Sequence, residues 1–174
     1  MIIFACNLDK IFTSEPVGLK QLIESSFCGE NIEGKYANLE IDLLTEYFAE
    51  YEDSYEKEIF HVAYDKDGYM YIVSFSEQDS ESFENIIEYI NGKIGEKPNS
   101  VLVEGVVEKL PDSFNKILKE SFELNSDEEL VNYFGGVYLN TQKSANEDNR
   151  NFLIGLAVII IFIDLRIIRN RRRE

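Results

Sequence analysis

The clearest pattern of apolar and polar positions lies in the middle of the chain. Two runs rich in aromatic and β-branched residues, Glu58–Asp65 and Tyr69–Ser76, flank the triplet Lys66-Asp67-Gly68. Glycine adopts the positive φ that tight hairpin turns require, so an Asp-Gly pair between two such runs favours a turn. The pattern predicts a β-hairpin.

Two further elements are predicted before the hairpin. Leu19, Leu22 and Ile23 recur at helical spacing, which predicts a helix over 15–27 with Ser14 as its N-cap. From Lys35 to Glu52, apolar and aromatic residues alternate with largely acidic ones, most clearly at positions 43, 45, 47, 49 and 51. This alternation predicts a long, half-exposed strand, and a helix that begins at Leu43 is the competing interpretation.

Helices and strands also alternate after the hairpin. A helix is predicted over 79–92, with Phe83, Ile86, Ile87 and Ile90 on one face and Gly92 as its end. A strand over 100–110 follows, with Gly105 at a bulge or bend. The remaining predicted elements are a helix over 111–124, a short helix over 127–134 and a last strand over 136–140.

This order predicts an α+β domain with a small mixed or antiparallel sheet and helices that cover one of its faces. A long first strand, a hairpin, a helix between the third and fourth strands and a closing fifth strand is also the element order of an OB-like five-stranded barrel. The domain is predicted to span residues 15–143, and the polar stretch 144–151 is predicted to be a linker.

The C-terminal segment predicts a transmembrane helix over 152–168. Its first twelve residues carry no charge and cover ~18 Å, whereas 17 residues reach ~25 Å of a hydrocarbon core that is ~30 Å thick. The run lacks the polar face that a helix on the surface of a soluble protein would have. A soluble protein whose C-terminal helix docks on a partner is the alternative. The apolar residues of the span are Phe152, Leu153, Ile154, Leu156, Val158, Ile159, Ile160, Ile161, Phe162 and Ile163.

Basic residues at the end of this segment predict its orientation. They are Arg166, Arg169, Arg171, Arg172 and Arg173, and the positive-inside rule places them, with the tail 169–174, in the cytoplasm. The acidic domain is then extracytoplasmic, in a single-pass protein of the cell membrane. Residues 1–14 contain no signal peptide, so the stretch 2–6 is interpreted as the stub of a lost N-terminal span, and a cytoplasmic tail-anchored domain is the alternative.

Charge is distributed unevenly between these parts. Residues 1–150 contain 12 basic and 31 acidic side chains, whereas residues 151–174 contain five and two. An acidic domain is repelled by phosphate backbones, which argues against nucleic acid as a partner. The lipid bilayer and other membrane proteins are the predicted partners.

No residue pattern predicts a catalytic, cofactor or metal site. His61 is the only histidine, and no Ser or Cys partner is implied by its spacing, so a structural or surface role is expected. The segment 65–68 resembles the opening of a calcium loop, but Met70 and Ser76 occupy the positions that need Gly and Glu. Acidic clusters at 50–53, 77–84 and 127–129 are interpreted as solvated surface.

Other residue types also favour structural roles. Gly135-Gly136 is interpreted as a turn, because no Lys-Ser/Thr pair follows to form a phosphate loop. The tyrosines at 64, 69, 71 and 133 are predicted to pack in the core and across strands. Cys6 and Cys28 are the only cysteines, and a bridge between them is permitted only outside the cytoplasm.

Several segments together look like a known group. These are Gly34-Lys-Tyr-Ala-Asn-Leu-Glu-Ile41, the hairpin at 58–76, Val103-Glu-Gly-Val-Val-Glu-Lys-Leu-Pro111 and the final apolar helix with its basic tail. In these the chain resembles uncharacterised bacterial membrane-anchored proteins that carry a domain of unknown function. The resemblance implies an extracytoplasmic domain between two spans, although this chain lacks a full N-terminal span.

The sequence therefore supports a membrane-anchored acidic domain that acts as a binding or accessory module at the membrane surface. An enzyme that uses surface carboxylates with a divalent cation is the alternative from a different class. No cofactor is predicted.

Overall fold

Eight strands and five α-helices make up the part of the chain that the computed structural model describes, residues 15–52 and 57–143. These residues belong to one compact unit, Glu15–Ser144. The strands are β1 (Val17–Gly18), β2 (Tyr36–Ile41), β3 (Leu43–Leu44), β4 (Ala49–Glu52), β5 (Lys57–Tyr64), β6 (Met70–Ser76), β7 (Val101–Lys109) and β8 (Val137–Asn140). The helices are α1 (Leu19–Phe27), α2 (Glu77–Ser82), α3 (Glu84–Ile90), α4 (Asn115–Ser121) and α5 (Asp127–Phe134), and a 3₁₀ turn, Asp112–Phe114, precedes α4.

The sheet is mixed and curled. Its strands follow the order β1-β2-β7-β8-β6-β5-β3, with β4 also beside β5, and only the pairs β1/β2 and β6/β8 are parallel. Strands β2 and β3 lie five pairings apart in this order, which would separate them by ~24 Å in a flat sheet. Only Asp42 separates them along the chain. The sheet therefore has to curl until its two sides meet.

The single long strand predicted over 35–52 is wrong, as is the competing helix from Leu43. The chain is extended here but divides into β2, β3 and β4, because it changes partner at Asp42. Strand β2 pairs with β7, whereas β3 and β4 pair with β5. The amide of Asp42 donates to the carbonyl of Tyr64 at 2.8 Å, which joins the chain to its new partner.

The predicted hairpin is confirmed. Strands β5 and β6 pair in an unbroken register from Glu58↔Ser76 to Tyr64↔Met70. In the turn, Asp65 Oδ1 accepts hydrogen bonds from the amides of Asp67 and Tyr69, both at 2.9 Å. The Asp65 carboxylate therefore holds the turn backbone, as expected of a hairpin turn and not of a calcium loop.

Side chains on the two faces of the sheet form separate cores. One cluster draws residues from β2, β3, β5, β6, β7 and β8 and fills the concave face, where it includes Ala37, Leu39, Ile41, Leu44, Ala63, Val73, Phe75, Val107 and Leu139. Alternate residues of β5 and β6 point to the convex face. There Phe60, Val62 and Ile72 pack against the 3₁₀ turn, α4 and α5 through Phe114, Leu118, Leu130 and Phe134.

Three predicted helices have different bounds. The helix predicted over 79–92 is divided into α2 and α3 at Phe83, whose ring packs 4.6 Å from that of Phe75, and the side chain of Ser76 caps α2. Helix α1 begins at Leu19 instead of 15, because Val17 and Gly18 pair with β2. Helix α4 is shorter than predicted, since its first residues form the 3₁₀ turn. Ser14, the predicted N-cap, lies outside the described residues.

Gly105 is not at a bulge. It pairs with Ala37 inside the unbroken register of β2 and β7. A Cβ added there would overlap the carbonyl oxygen of Asn140 and lie 2.7 Å from its carbonyl carbon. Glycine is needed because the backbone after β8 passes directly over the middle of β7.

Candidate functional site

The predicted membrane span, 152–168, and the five arginines that set its orientation lie outside the described residues, as do residues 1–14. Within the described ranges, no helix has the length and apolar character needed to cross a bilayer. The predicted span, the tail and the stub therefore remain predictions.

The first half of β7 has a described partner strand on one side only. Strand β2 pairs with β7 from Val101 to Val106, but β8 pairs only with Val106–Lys109. Over residues 101–105, no strand in the described part of the chain lies on the side that β8 would occupy. The sheet therefore has a gap there, because β8 is only four residues long.

The alternation of backbone groups shows which atoms face this gap. The amide of Val107 donates to Lys35 on the β2 side at 2.9 Å, and the amide of Leu110 donates to Gly136 on the β8 side at 3.1 Å. Successive residues of a strand direct their N–H and C=O groups to opposite sides. The backbone groups of Leu102 and Glu104 therefore point into the gap, where no described strand pairs with them.

A groove of about 350 Å³ occupies this gap. We call it the β7 groove: its strand wall is residues 101–104, and its helix wall is Asp79, Ser82 and Phe83, together with Phe75 and Thr141. Leu102 and Val101 in the strand wall are 62% and 38% exposed, so two neighbouring apolar side chains of this wall meet solvent. The groove therefore combines apolar side chains with backbone groups that lack a partner strand.

Charge in the β7 groove is of one sign. Among the described residues that line it, Asp79 and Glu104 are acidic and none is Lys or Arg. Glu104 is held in position because Tyr36 Oη donates to its Oε2 at 2.7 Å. This hydrogen bond, with burial and the carboxylate charge, raises the pKa of Tyr36 to about 12, so the phenol remains a donor at neutral pH.

His61 lies in a closed structural site, as expected. It is 1% exposed, its Nδ1 lies 2.9 Å from the carbonyl oxygen of Thr45, and its Nε2 lies 2.9 Å from Ser80 Oγ. A carbonyl only accepts, so Nδ1 carries the proton and the Ser80 hydroxyl donates to Nε2. Burial lowers the pKa of His61, which keeps the imidazole neutral. The spacing of residues in the sequence did not indicate Ser80 as the partner of His61, because Ser80 lies on α2, 19 residues further along the chain.

This pairing has the hydrogen-bond order of a serine–histidine dyad, but its described surroundings are those of a structural contact. The ring of His61 is packed edge-on against Tyr47 and Phe75. A hydrolase also needs a substrate cavity and donors for an oxyanion next to the serine. The β7 groove is lined by Asp79 and Ser82 but not by Ser80. The dyad therefore fixes α2 to β5.

A second polar cluster joins two carboxylates where β5, β7 and β8 meet. Asn140 Nδ2 donates to Glu58 Oε1 and to Glu108 Oε2, each at 3.1 Å, and Tyr138 Oη donates to Glu108 Oε2 at 2.5 Å. Burial and the charge of Glu108 raise the pKa of Glu58. Burial also acts to raise the pKa of Glu108. Hydrogen bonds from Lys143, Tyr138 and Asn140 outweigh the effect of burial, so the pKa of Glu108 lies below its ordinary value.

Opposed pKa shifts in two nearby carboxylates are also found in acid–base catalysts. In this cluster, however, Tyr138, Asn140 and Lys143 already donate to the carboxylates. In the described part of the chain, no group of three or more His, Cys, Asp or Glu side chains converges to hold a metal. The cluster therefore ties the end of β8 to its neighbours.

The predicted core tyrosines divide into two pairs. Tyr71 is buried and Tyr64 is half-buried, as predicted, whereas Tyr69 and Tyr133 are more than half exposed. Lys20 Nζ lies 3.7 Å from the centre of the Tyr69 ring, which covers that ring with a cation. The cleft beside them has a volume of about 110 Å³, which is small for a ligand site.

The remaining sequence candidates are structural or lie partly outside the described residues. Gly135 has φ +72° and ends α5, so the predicted turn is confirmed. Cys28 is exposed, and Cys6 lies outside the described residues, so a bridge between them stays a prediction.

Comparison with known proteins gives one match. No curated protein and no solved structure matches the chain. The family model described as "Domain of unknown function (DUF8577)" matches residues 1–169. This confirms the uncharacterised-domain part of the predicted resemblance, while a bacterial origin and a membrane anchor stay predictions. The chain belongs to the DUF8577 family of domains of unknown function.

Proposed function

We propose that this protein is a membrane-tethered binding module that takes up an extended segment of a partner protein in the β7 groove. The observation that carries the proposal is the groove itself, where the unpaired edge of β7 lies beside apolar side chains. Extended peptides bind such edges by adding a strand, in which main-chain hydrogen bonds give affinity and side-chain pockets give specificity.

The details of the fold support this location. We infer that the curled sheet is an OB-like barrel. If the segment β2 to β4 is counted as one strand, it pairs with β5, then β5 with β6, β6 with β8, β8 with β7, and β7 returns to β2, which closes the cycle. Helices α2 and α3 lie between β6 and β7 in the chain. Such barrels bind ligands on the face of their second and third strands. Here the corresponding face, on β5 and β6, packs against α4 and α5. A ligand then has to bind elsewhere, and the β7 groove is open.

The charge of the domain favours protein over nucleic acid as the partner. Acidic side chains exceed basic ones by 19 in residues 1–150, and phosphate backbones are repelled by a surface of that sign. The groove is also large enough for several peptide side chains, since ligand sites usually measure ~300–1,000 Å³.

Selection of peptides tests the binding function. The full chain in non-ionic detergent is used to select from a library of random 12-residue peptides, and the selected peptides are measured on two variants. Leu102→Pro removes the amide hydrogen that points into the groove, and an edge strand tolerates proline. Leu102→Ala keeps that amide. We expect binding to be lost in the proline variant and retained, with weaker affinity, in the alanine variant. Equal binding to both variants contradicts the proposal.

The membrane tether is a separate part of the proposal and has its own test. Its support is the uncharged apolar run 152–163 followed by arginines, which is typical of a span with a cytoplasmic end. After an alkaline carbonate wash of cell membranes, we expect the full chain in the pellet and a variant that ends at Asn151 in the supernatant. Recovery of the full chain in the supernatant contradicts the tether and favours a helix that docks on a soluble partner.

A further inference from the structure

We propose that the β7 groove selects a segment in which apolar and basic side chains alternate. This inference rests on the proposed strand addition and specifies the partner's chemistry. A strand that adds to β7 continues the alternation of the sheet, so one set of its side chains faces the concave side and the other set faces outward. The two sets meet different surfaces.

The concave side of the groove is apolar. Val103 packs with the concave core, and Phe75 and Phe83 belong to that core and also line the groove. A peptide side chain on this side is removed from water by aromatic and β-branched neighbours. Apolar residues at every second position of the peptide are stabilised there, and charged residues are not.

The outward side carries a carboxylate. Glu104 alternates with Val103 and faces outward with Leu102, and Tyr36 holds Glu104 through its hydroxyl. Asp79 adds a second carboxylate from the helix wall, and none of the groove residues in the described part of the chain is Lys or Arg. Lys or Arg at the alternate peptide positions lie next to Glu104. The negative domain also attracts a basic segment over longer distances, which raises its association rate at low ionic strength.

Three synthetic peptides of seven residues test the selectivity on the full chain in non-ionic detergent. All have valine at every second position, and the positions between are Lys, Gln or Glu. We expect the Lys peptide to bind about tenfold tighter than the Gln peptide, the Glu peptide to bind weakest, and the difference to shrink as salt is raised from 50 to 500 mM.

Matched variants identify the responsible carboxylate. In Glu104→Gln, which keeps an oxygen for Tyr36, we expect the Lys peptide to weaken about two- to fivefold while the Gln peptide is unchanged. Glu33→Gln changes the net charge equally at an exposed loop residue outside the groove lining, and we expect no such loss.

The possible failures are distinguishable. If the Gln and Lys peptides bind equally and Leu102→Pro abolishes both, the selectivity is wrong and strand addition stands. If no peptide binds, or if Leu102→Pro binds all of them, strand addition itself is wrong. If the peptides bind only after residues 144–151 are replaced by a Gly-Ser linker, residues 144–151 of the protein itself occupy the groove. That result overturns the inferred partner.

Discussion

The two halves of β7 have the same strand geometry but different environments. Residues 106–109 lie between β2 or its preceding loop and β8, and Val107 is fully buried. Residues 101–104 have a partner only in β2, and Leu102 is mostly exposed. The boundary is Gly105, over which the chain leaves β8. An open edge therefore arises where a short neighbouring strand ends, even inside a sheet that curls back on itself.

The largest expected effect is at that boundary. Gly105→Val places atoms on the carbonyl of Asn140, and backbone on both strands has to shift. We expect a loss of more than about 3 kcal/mol in the free energy of unfolding, measured by urea denaturation. Gly95→Ala is the control, because an added Cβ there meets nothing within 4 Å. A Gly105 variant as stable as the control contradicts the close passage of the chain after β8.

A smaller effect separates the two halves directly. Val107→Ala removes two methyl groups from the concave core, and we expect it to cost about 2 kcal/mol. Leu102→Ala removes more atoms from a side chain that is mostly in water, and we expect a change within about 0.5 kcal/mol. Similar losses in both variants would mean that Leu102 is buried in solution, so the groove would be closed.

The pH dependence of stability tests the cluster that anchors β8. The pKa of Glu58 is raised in the fold by burial and by Glu108, so its ionisation costs stability as the pH rises above the unfolded value near 4.5. Glu58→Gln removes this cost, and we expect a higher urea midpoint than wild type at pH 7 and no difference below pH 4.

Glu108 is predicted to have the opposite effect on the pH dependence of stability. Its lowered pKa gives stability above the unfolded value, and this stability is lost as the pH falls through the folded value. Glu108→Gln is therefore expected to lower the urea midpoint at pH 7, with the deficit vanishing at acidic pH. If both variants shift the midpoint in the same direction at pH 7, the two carboxylates are not coupled as described.

Local patterns were predictable where short-range chemistry decides the structure. The Asp-Gly hairpin, the strand over 101–109 and the helix over 127–134 are each indicated by adjacent residues: a turn, a run of β-branched residues and the cap at Ser126. The element order also suggested a small mixed sheet, which the structure has. The prediction of helices on one face only is wrong, because α4 and α5 pack on the convex face while Leu19 and Leu22 of α1 and Ile86 of α3 join the concave core.

The site was not predictable because it depends on distant residues. The groove exists because β8 ends after four residues, and nothing near Leu102 in sequence specifies the length of a strand that starts at Val137. The break at Phe83 likewise follows from packing on Phe75. One signal was available: the run Val101-Leu102-Val103 is apolar without alternation, and a strand with one solvated face would alternate.

Amide hydrogen exchange measured residue by residue tests the open edge most directly. In the free full chain in detergent, the amide of Val103, which faces β2, should exchange slowly, and the amides of Leu102 and Glu104 should exchange quickly. Addition of the Val/Lys peptide should slow Leu102 and Glu104 and leave Val103 unchanged. Equal protection of all three amides before any peptide is added would contradict an open edge on β7.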